Sequence, residues 1–258
     1  MSTLEIAPGS ILQRLYLKER IRKIGTKGTF IEFGAGTGYV SNLLLSMGWK
    51  GAGYDLNSDA CEVSRKINQS FIEKGLYEVK NSNFFDYQTT ARFDLLISCM
   101  VIEHLNEADV SNYFSKCAGL LSPGGLIITI VPGCMDYWGI EDEIAGHFHR
   151  YSFEDFQQIA EKHSLSILKM AGLTFPVSNL LFGLSNALVK KAESKKAGLS
   201  KQEQTILSSN RKVLLKTDYP PYFRFFLNEI TMYPFHVIQK IFSKNRKSMV
   251  ICCEMKKK

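Results

Sequence analysis

Phe30-Ile31-Glu32-Phe33-Gly34-Ala35-Gly36-Thr37-Gly38 sets three glycines at alternate positions directly after an apolar run. Glycine there lets the backbone turn sharply from strand to helix with no Cβ in the way. The helix starting near Tyr39-Val40 then presents free N–H groups to a ligand. Asp55 ends a second strand-like run 21 positions after Gly34, close to the spacing of about 20 at which a carboxylate reaches a ribose hydroxyl across a parallel sheet. The pattern reads as a nucleotide-cofactor site in an α/β fold. A dinucleotide fingerprint would need glycine at position 39; Tyr39 stands there and argues against NAD.

The rest of the chain supports a parallel sheet. Short Ile/Leu/Phe/Val runs alternate with amphipathic stretches through the first half, as in a sheet covered by helices on both faces. Strands are predicted near 29–34, 50–55, 77–82, 94–100, 125–131, 165–173 and 248–255, and helices near 9–24, 38–47, 58–74, 107–120 and 153–163. Ser152-Phe153-Glu154-Asp155 has the hydroxyl and the acid of a capped helix start. At 258 residues, 45% of them hydrophobic, the chain is long enough for one sizeable core.

Read as acidic-x-Gly-x-Gly-x-Gly from Glu32, the loop resembles motif I of the class I S-adenosylmethionine (SAM) methyltransferases. SAM brings a sulfonium and an amino group, so carboxylates around the loop attract it. Further segments resemble this family in its order. Gly51-Ala52-Gly53-Tyr54-Asp55 is similar to its second strand, and Asn83-Phe84-Phe85-Asp86 to its adenine turn, although relatives carry Asp where Asn83 stands. Phe93 to Leu105 is similar to the fourth strand with its post-strand motif. Leu121-Ser122-Pro123-Gly124-Gly125-Leu126-Ile127-Ile128-Thr129 is similar to the Pro-Gly-Gly turn and fifth strand. The resemblance covers about residues 29–131. It implies a Rossmann-like, seven-stranded, mostly parallel sheet and a cofactor site built from Glu32, Gly34, Ala35, Gly36, Gly38, Asp55, Leu56, Asn83, Phe84 and Cys99.

Charge separates the two ends of the chain. Residues 1–184 carry 16 Lys and Arg against 20 Asp and Glu, and residues 185–258 carry 16 against 5. In the resembled family strands six and seven usually pair as a hairpin, yet here residues 174–247 intervene. The expected organisation is therefore a core with an N-terminal helix (1–173), a largely helical basic insertion (174–247), and a last strand with a lysine tail (248–258). Within the insertion, Val177 to Lys190 and Glu229 to Ile241 have the apolar spacing of amphipathic helices. The aromatic segment Asp218-Tyr219-Pro220-Pro221-Tyr222-Phe223 suits a lid, a dimer surface or an interfacial anchor. Packing of the apolar faces on the sheet is their commonest fate.

Substrate is expected where strands four and five end. After strand five, Asp142 to Ser152 resembles the Asp-x-x-x-Gly-His-x-x-Arg-Tyr segment of a methyltransferase branch tied to glycan, lipid and natural-product pathways. Glu103-His104-Leu105 is similar to ubiquinone-biosynthesis O-methyltransferases. Methyl transfer to a hydroxyl needs alignment and a proton acceptor, a task for which neutral imidazole is suited at neutral pH. His147, beside Gly146 and near Asp142, is the first candidate base and His104 the second, with Arg150, Tyr151 and Asp142 as substrate contacts. In another reading Asp142, His147 and Arg150 form a latch that closes the loop. His163 and His236 lie in helical patterns that predict partly exposed structural roles.

The resulting expectation is a SAM-dependent O-methyltransferase for a small-molecule, sugar or lipid-linked hydroxyl. An RNA or protein methyltransferase docking through the basic region, and a non-catalytic partner subunit, are the alternatives. No Asn-Pro-Pro-Tyr-like motif follows strand four and no RNA-binding module is recognisable, so no nucleic-acid partner is expected. Six cysteines without C-x-x-C spacing predict buried thiols and no metal site. With no signal-like N-terminus or apolar run of about 18 residues, the expected location is the cytosol, with possible peripheral contact at the inner membrane face.

Overall fold

The computed structural model describes residues 7–25, 27–193 and 219–258 and divides the chain into two compact units. One comprises residues 25–131, 153–170 and 252–258; the other comprises 1–24, 132–152 and 171–251. In chain order the elements are α1 (Pro8–Ile24), β1 (Thr29–Phe33), α2 (Tyr39–Ser46), β2 (Lys50–Asp55), α3 (Ser58–Ile67), α4 (Gln69–Ile72), β3 (Tyr77–Asn81), β4 (Phe93–Cys99), α5 (Glu107–Leu120), β5 (Leu121–Pro132), α6 (Ile140–Ala145), α7 (Phe153–Lys162), β6 (Leu165–Leu173), α8 (Val177–Glu193), α9 (Tyr233–Ile241) and β7 (Val250–Lys257).

The strands form one seven-stranded sheet in the order β3-β2-β1-β4-β5-β7-β6, and β3-β2, β2-β1, β1-β4 and β4-β5 pair in parallel. The expected Rossmann-like fold is what the chain adopts. Between β1 and β4 the strand order reverses, and in open parallel sheets ligands bind at the carboxyl ends of the strands at such a point. Phe30, Ile31, Leu95, Leu96, Ile97, Ile127 and Ile128 are completely buried, as strands covered on both faces require.

Three local features depart from the sequence reading. The helix predicted over 58–74 breaks at Asn68, whose backbone leaves the helical region while its side-chain amide donates to the carbonyls of Gly38 and Ser64. Gly124-Gly125, read as a turn before strand five, lies within β5. There the register skips from Phe93↔Leu121 to Leu95↔Leu126, with Gly124 at φ +77° absorbing the extra residues. The short helix α6 was not anticipated; it starts where Asp142 Oδ2 accepts the Gly139 N–H at 2.9 Å.

In the second unit, Ile11, Leu12 and Leu15 of α1 pack with Met232, Val177 and Leu227. The helix predicted from Glu229 begins only at Tyr233. Asn228 Oδ1 instead accepts the N–H groups of Ile230 and Thr231 and holds that stretch in a turn. His236, expected to be partly exposed, is buried at 2% exposure. His163 is half-buried and faces Ser115 Oγ at 3.2 Å. The basic pairs Lys195-Lys196 and Arg211-Lys212, with Lys216 and Asp218, lie outside the described residues. All six cysteines are unpaired; Cys61, Cys117, Cys252 and Cys253 are buried, Cys99 and Cys134 half-buried. Among the described residues no helix is long and apolar enough to cross a membrane.

Candidate active site

β1 delivers the chain into a loop in which Gly34, Gly36 and Gly38 all take left-handed φ values, +66°, +51° and +78°. A side chain at Gly34 would run into Val101, and one at Gly38 into Ser64 and Asn68. At Gly36 a Cβ would have nothing within 4 Å, so this glycine faces open space. The loop is tied down by hydrogen bonds from Ala35 N–H to the Tyr54 carbonyl (2.9 Å) and from Gly38 N–H to the Ala35 carbonyl (2.8 Å). No side chain caps the start of α2 at Gly38.

Beneath the loop, Glu32 on β1 is buried and accepts a hydrogen bond from Ser41 Oγ of α2; Tyr77 on β3 donates its hydroxyl to the same Ser41 at 2.8 Å. Burial is the main reason that the Glu32 carboxyl is pushed up from 4.5 to about 8, with the Asp55 charge adding to it and the Ser41 hydrogen bonds opposing it. Glu32 thus ties β1 to α2 as a group that is largely neutral at pH 7, and it presents almost no surface of its own.

Asp55 ends β2 beside the loop. Its Oδ2 accepts the Gly36 N–H at 2.7 Å and its Oδ1 accepts the Asn57 N–H at 2.8 Å. The next residue, Leu56, is a large apolar side chain left 51% exposed. Past β3, Asn83 Oδ1 accepts the Phe85 N–H at 3.0 Å and caps the short 3-10 turn Phe84–Asp86. The Phe84 ring packs against Phe33 and against Tyr113, the latter edge-on at 5.3 Å. Lys116 of α5 fixes this turn, donating to the carbonyls of Phe84 (2.9 Å) and Phe85 (2.8 Å) with its ammonium 4.9 Å from the Phe84 ring centre. Nothing local in the sequence marks Lys116, because its partners are about thirty residues away. Tyr77 and Ser41 escape a sequence reading for the same reason.

At the end of β4, Cys99 is half-buried, and burial pushes its thiol up, with the nearby Glu32 and Glu103 carboxyls adding to the shift at pH values where they ionise. Met100 follows at φ +56°, a left-handed position unusual for a bulky residue, held by its N–H on the Ile130 carbonyl at 2.8 Å. His104 closes the 3-10 turn Ile102–His104 and is half-buried. The open Gly36, the Asp55 carboxylate, exposed Leu56, the Asn83-Phe84 turn and Cys99 therefore all stand at the carboxyl ends of the adjacent strands β2, β1 and β4 or in the turn after β3. Together they offer hydrogen-bonding groups, apolar surface and open space along the backbone, at the end of the sheet where ligands bind in open parallel α/β folds.

The second unit contains the Asp142, His147, Arg150 and Tyr151 segment. Asp142 Oδ1 meets His147 Nδ1 at 2.8 Å and Arg150 Nε at 2.8 Å, and Arg150 Nη1 donates to the Gly133 carbonyl at 3.2 Å. Desolvation raises the Asp142 carboxyl, but the His147 hydrogen bond and the Arg150 charge outweigh it and hold the group below the usual carboxylate range. Gly146, at φ +76°, ends α6 and turns the chain toward His147. The Tyr151 N–H bonds the Pro132 carbonyl at 2.9 Å and its carbonyl accepts the Cys134 N–H at 3.0 Å, so the segment is stitched back onto the exit of β5. Arg150 and Tyr151, expected to meet substrate, are both buried, and the Arg150 guanidinium already holds two protein acceptors.

Comparison with known proteins agrees with this fold. A family model described as a methyltransferase domain matches residues 9–169. No curated protein matches the chain in sequence. Among solved structures, a putative sarcosine dimethylglycine methyltransferase from Galdieria sulphuraria superposes with a TM-score of 0.59 at 13% identity, over 96% of this chain and 86% of that one. Magnesium protoporphyrin IX methyltransferase from Synechocystis with bound SAH gives 0.53 at 16% identity, over 63% and 75% of the two chains. A SAM-dependent methyltransferase from Clostridium acetobutylicum gives 0.50 at 14% identity, over 63% and 83%. At these identities the likeness is one of fold, and the family match covers more than half of the sequence. The chain belongs to the methyltransferase-domain family and has the class I, SAM-dependent methyltransferase fold.

Proposed function

We propose that this enzyme transfers a methyl group from SAM to a hydroxyl of a small molecule, a sugar or a lipid-linked intermediate, as do the O-methyltransferases whose Gly-His-x-x-Arg-Tyr segment it resembles. The backbone of Gly34, Ala35, Gly36 and Gly38 receives the cofactor, Asp55 takes its ribose hydroxyls, and Leu56 and Phe84 enclose its adenine. Asn83 uses its oxygen on the protein, which leaves its amide N–H groups to meet adenine as donors. Cys99 lines the cradle, and Glu32 braces it from below through Ser41. When bound, SAM supplies an electrophilic methyl on a cationic sulfonium.

The observation that carries the reading is the pairing of buried Asp142 with His147 Nδ1 at 2.8 Å. A carboxylate there keeps the proton on Nδ1, turns Nε2 into the basic nitrogen, and stabilises the imidazolium that forms when Nε2 takes a hydroxyl proton. Arg150 and Tyr151 position this base, because Arg150 ties Asp142 to Gly133 and Tyr151 ties the segment to β5. His104 is the second candidate for the proton. Residues 174–247, which include the helices α8 and α9, are a basic insertion beside the core of residues 1–173 and the last strand with its lysine tail (248–258), and the enzyme works in the cytosol with peripheral contact at the inner face of the membrane.

The test is methyl transfer from labelled SAM into acceptors of a cell extract. His147→Ala should lower the rate of incorporation by roughly 10²- to 10⁴-fold while calorimetric SAM affinity stays within about twofold. An undiminished rate in that variant removes His147 as the base, and label that resists separation from protein or RNA contradicts a small-molecule acceptor.

A further inference from the structure

Helix α9 is built inside out. A surface helix normally turns its apolar stripe to the core and its polar side to water. Along Tyr233–Ile241 the buried side chains are instead polar, His236 at 2% and Gln239 at 0% exposure, whereas Tyr233, Phe235, Val237 and Ile241 are exposed, Ile241 at 72%. Ile230 before the helix is 86% exposed, and Phe242 after it is exposed as well.

The inward polar face is fully engaged. Gln239 Nε2 donates to the Leu12 carbonyl at 3.0 Å and Gln239 Oε1 accepts the Thr174 N–H at 2.9 Å. His236 lies between Gln239 Nε2 (2.7 Å from Nδ1) and Glu19 Oε2 (3.1 Å from Nε2), and Lys240 donates to the same Glu19 oxygen at 2.8 Å. Rotating the helix to bury its apolar side would strip partners from buried polar groups, so the outward apolar face is a fixed property of the unit. An apolar face of this kind on a folded unit marks contact with something else.

The charge around it selects the occupant. Lys244 and Lys247 stand exposed just past α9, and residues 230–247 include Lys240, Lys244, Arg246 and Lys247 but no Asp or Glu. A second copy would bring this positive excess against itself. A bilayer with anionic headgroups complements it, takes the Phe and Ile side chains into its acyl boundary, and suits the amphipathic ring of Tyr233 at the headgroup level. We propose that the face from Ile230 to Phe242 docks on anionic lipid bilayers, with Ile230 and Ile241 inserted and Lys244 and Lys247 on the headgroups. This rests on the reading of an enzyme working at the inner membrane face and names the surface that would hold it there.

Flotation of the full-length protein with phosphatidylcholine vesicles, with and without phosphatidylglycerol, tests it. Association is expected with the anionic vesicles, at least about tenfold weaker with neutral vesicles or at roughly 1 M salt. Ile230→Ser with Ile241→Ser should lose most of the association, and Lys244→Ala or Lys247→Ala should each weaken it roughly fivefold. SAM affinity and thermal midpoint of these surface variants should match the parent, which separates failed docking from a failed enzyme. No association with anionic vesicles, equal association with neutral ones, or a dimer in sedimentation equilibrium that Ile241→Ser dissociates would each overturn the proposal.

Discussion

Two buried carboxylates, one in each unit, show how the same side-chain chemistry is put to opposite uses. Glu32 lies under the glycine loop with only uncharged hydrogen-bond partners, the hydroxyl and backbone of Ser41, and desolvation lifts it to about 8. Asp142 is buried as completely, but it is given an imidazole and a guanidinium and stays ionised. Burial alone does not decide protonation; the charge of the partner does. The loop region is thereby braced by a neutral hydrogen-bonded strut, and the other region holds a permanent negative charge beside a histidine.

Variants of the charged centre should have the largest effects. His147→Ala is expected to lower turnover by roughly 10²- to 10⁴-fold, the range associated with a lost general base, with SAM affinity within about twofold by calorimetry. Asp142→Ala leaves Arg150 buried beside a missing charge. It should reduce stability by about 3–5 kcal/mol in denaturant titration, and a loss under 1 kcal/mol would mean that the guanidinium has water.

The neutral strut is separated from the charged centre by pH. Because the folded-state pKa of Glu32 lies above its ordinary 4.5, its contribution to stability is complete below that value and is lost as pH rises toward 8. This amounts to roughly 3 kcal/mol between pH 4.5 and 7. Glu32→Gln keeps a partner for Ser41 and should flatten the thermal midpoint over this window. Asp142 acts in the opposite sense, its stabilisation being present above pH 3.8 and lost only as pH falls through its lowered pKa. A Glu32→Gln variant with the parent's slope between pH 5 and 8 would erase the distinction.

The two regions also differ in how far they can be read without coordinates. The glycine loop and the Asp55 carboxylate beside it are legible because their requirements are local: left-handed φ at Gly34, Gly36 and Gly38, and one carboxylate at a fixed distance along the chain. The inversion of α9 is not legible. Periodicity reports that a helix has an apolar side, but the inward placement of His236 and Gln239 depends on Glu19, Leu12 and Thr174, which are distant in sequence. The irregular Gly124 segment of β5 depends on register with Phe93 and Leu95, which no turn signal encodes. Motif spacing indicates that Asp142, His147 and Arg150 belong together, though not that Arg150 would be enclosed between Asp142 and Gly133.

Lys116 gives the smallest effect, and sharpens the picture of the loop region as a braced cradle. Lys116→Ala removes two hydrogen bonds from the Phe84–Asp86 turn, each worth about 1–2 kcal/mol for a partly exposed charged donor, most of which is lost in the unliganded turn as well as the liganded one. SAM affinity should fall roughly fivefold with turnover at saturating SAM unchanged; an equal fall in both would place Lys116 elsewhere in the cycle.

The most direct measurement is calorimetric titration of SAM into Gly36→Leu beside the parent. Beyond its chain neighbours, no protein atom stands within 4 Å of a Cβ at this position, so a side chain added there starts into the open space assigned to the cofactor. The account predicts a folded variant, its midpoint lowered only by the strain of a left-handed φ, that no longer binds SAM. A folded Gly36→Leu that binds SAM as the parent does would contradict it.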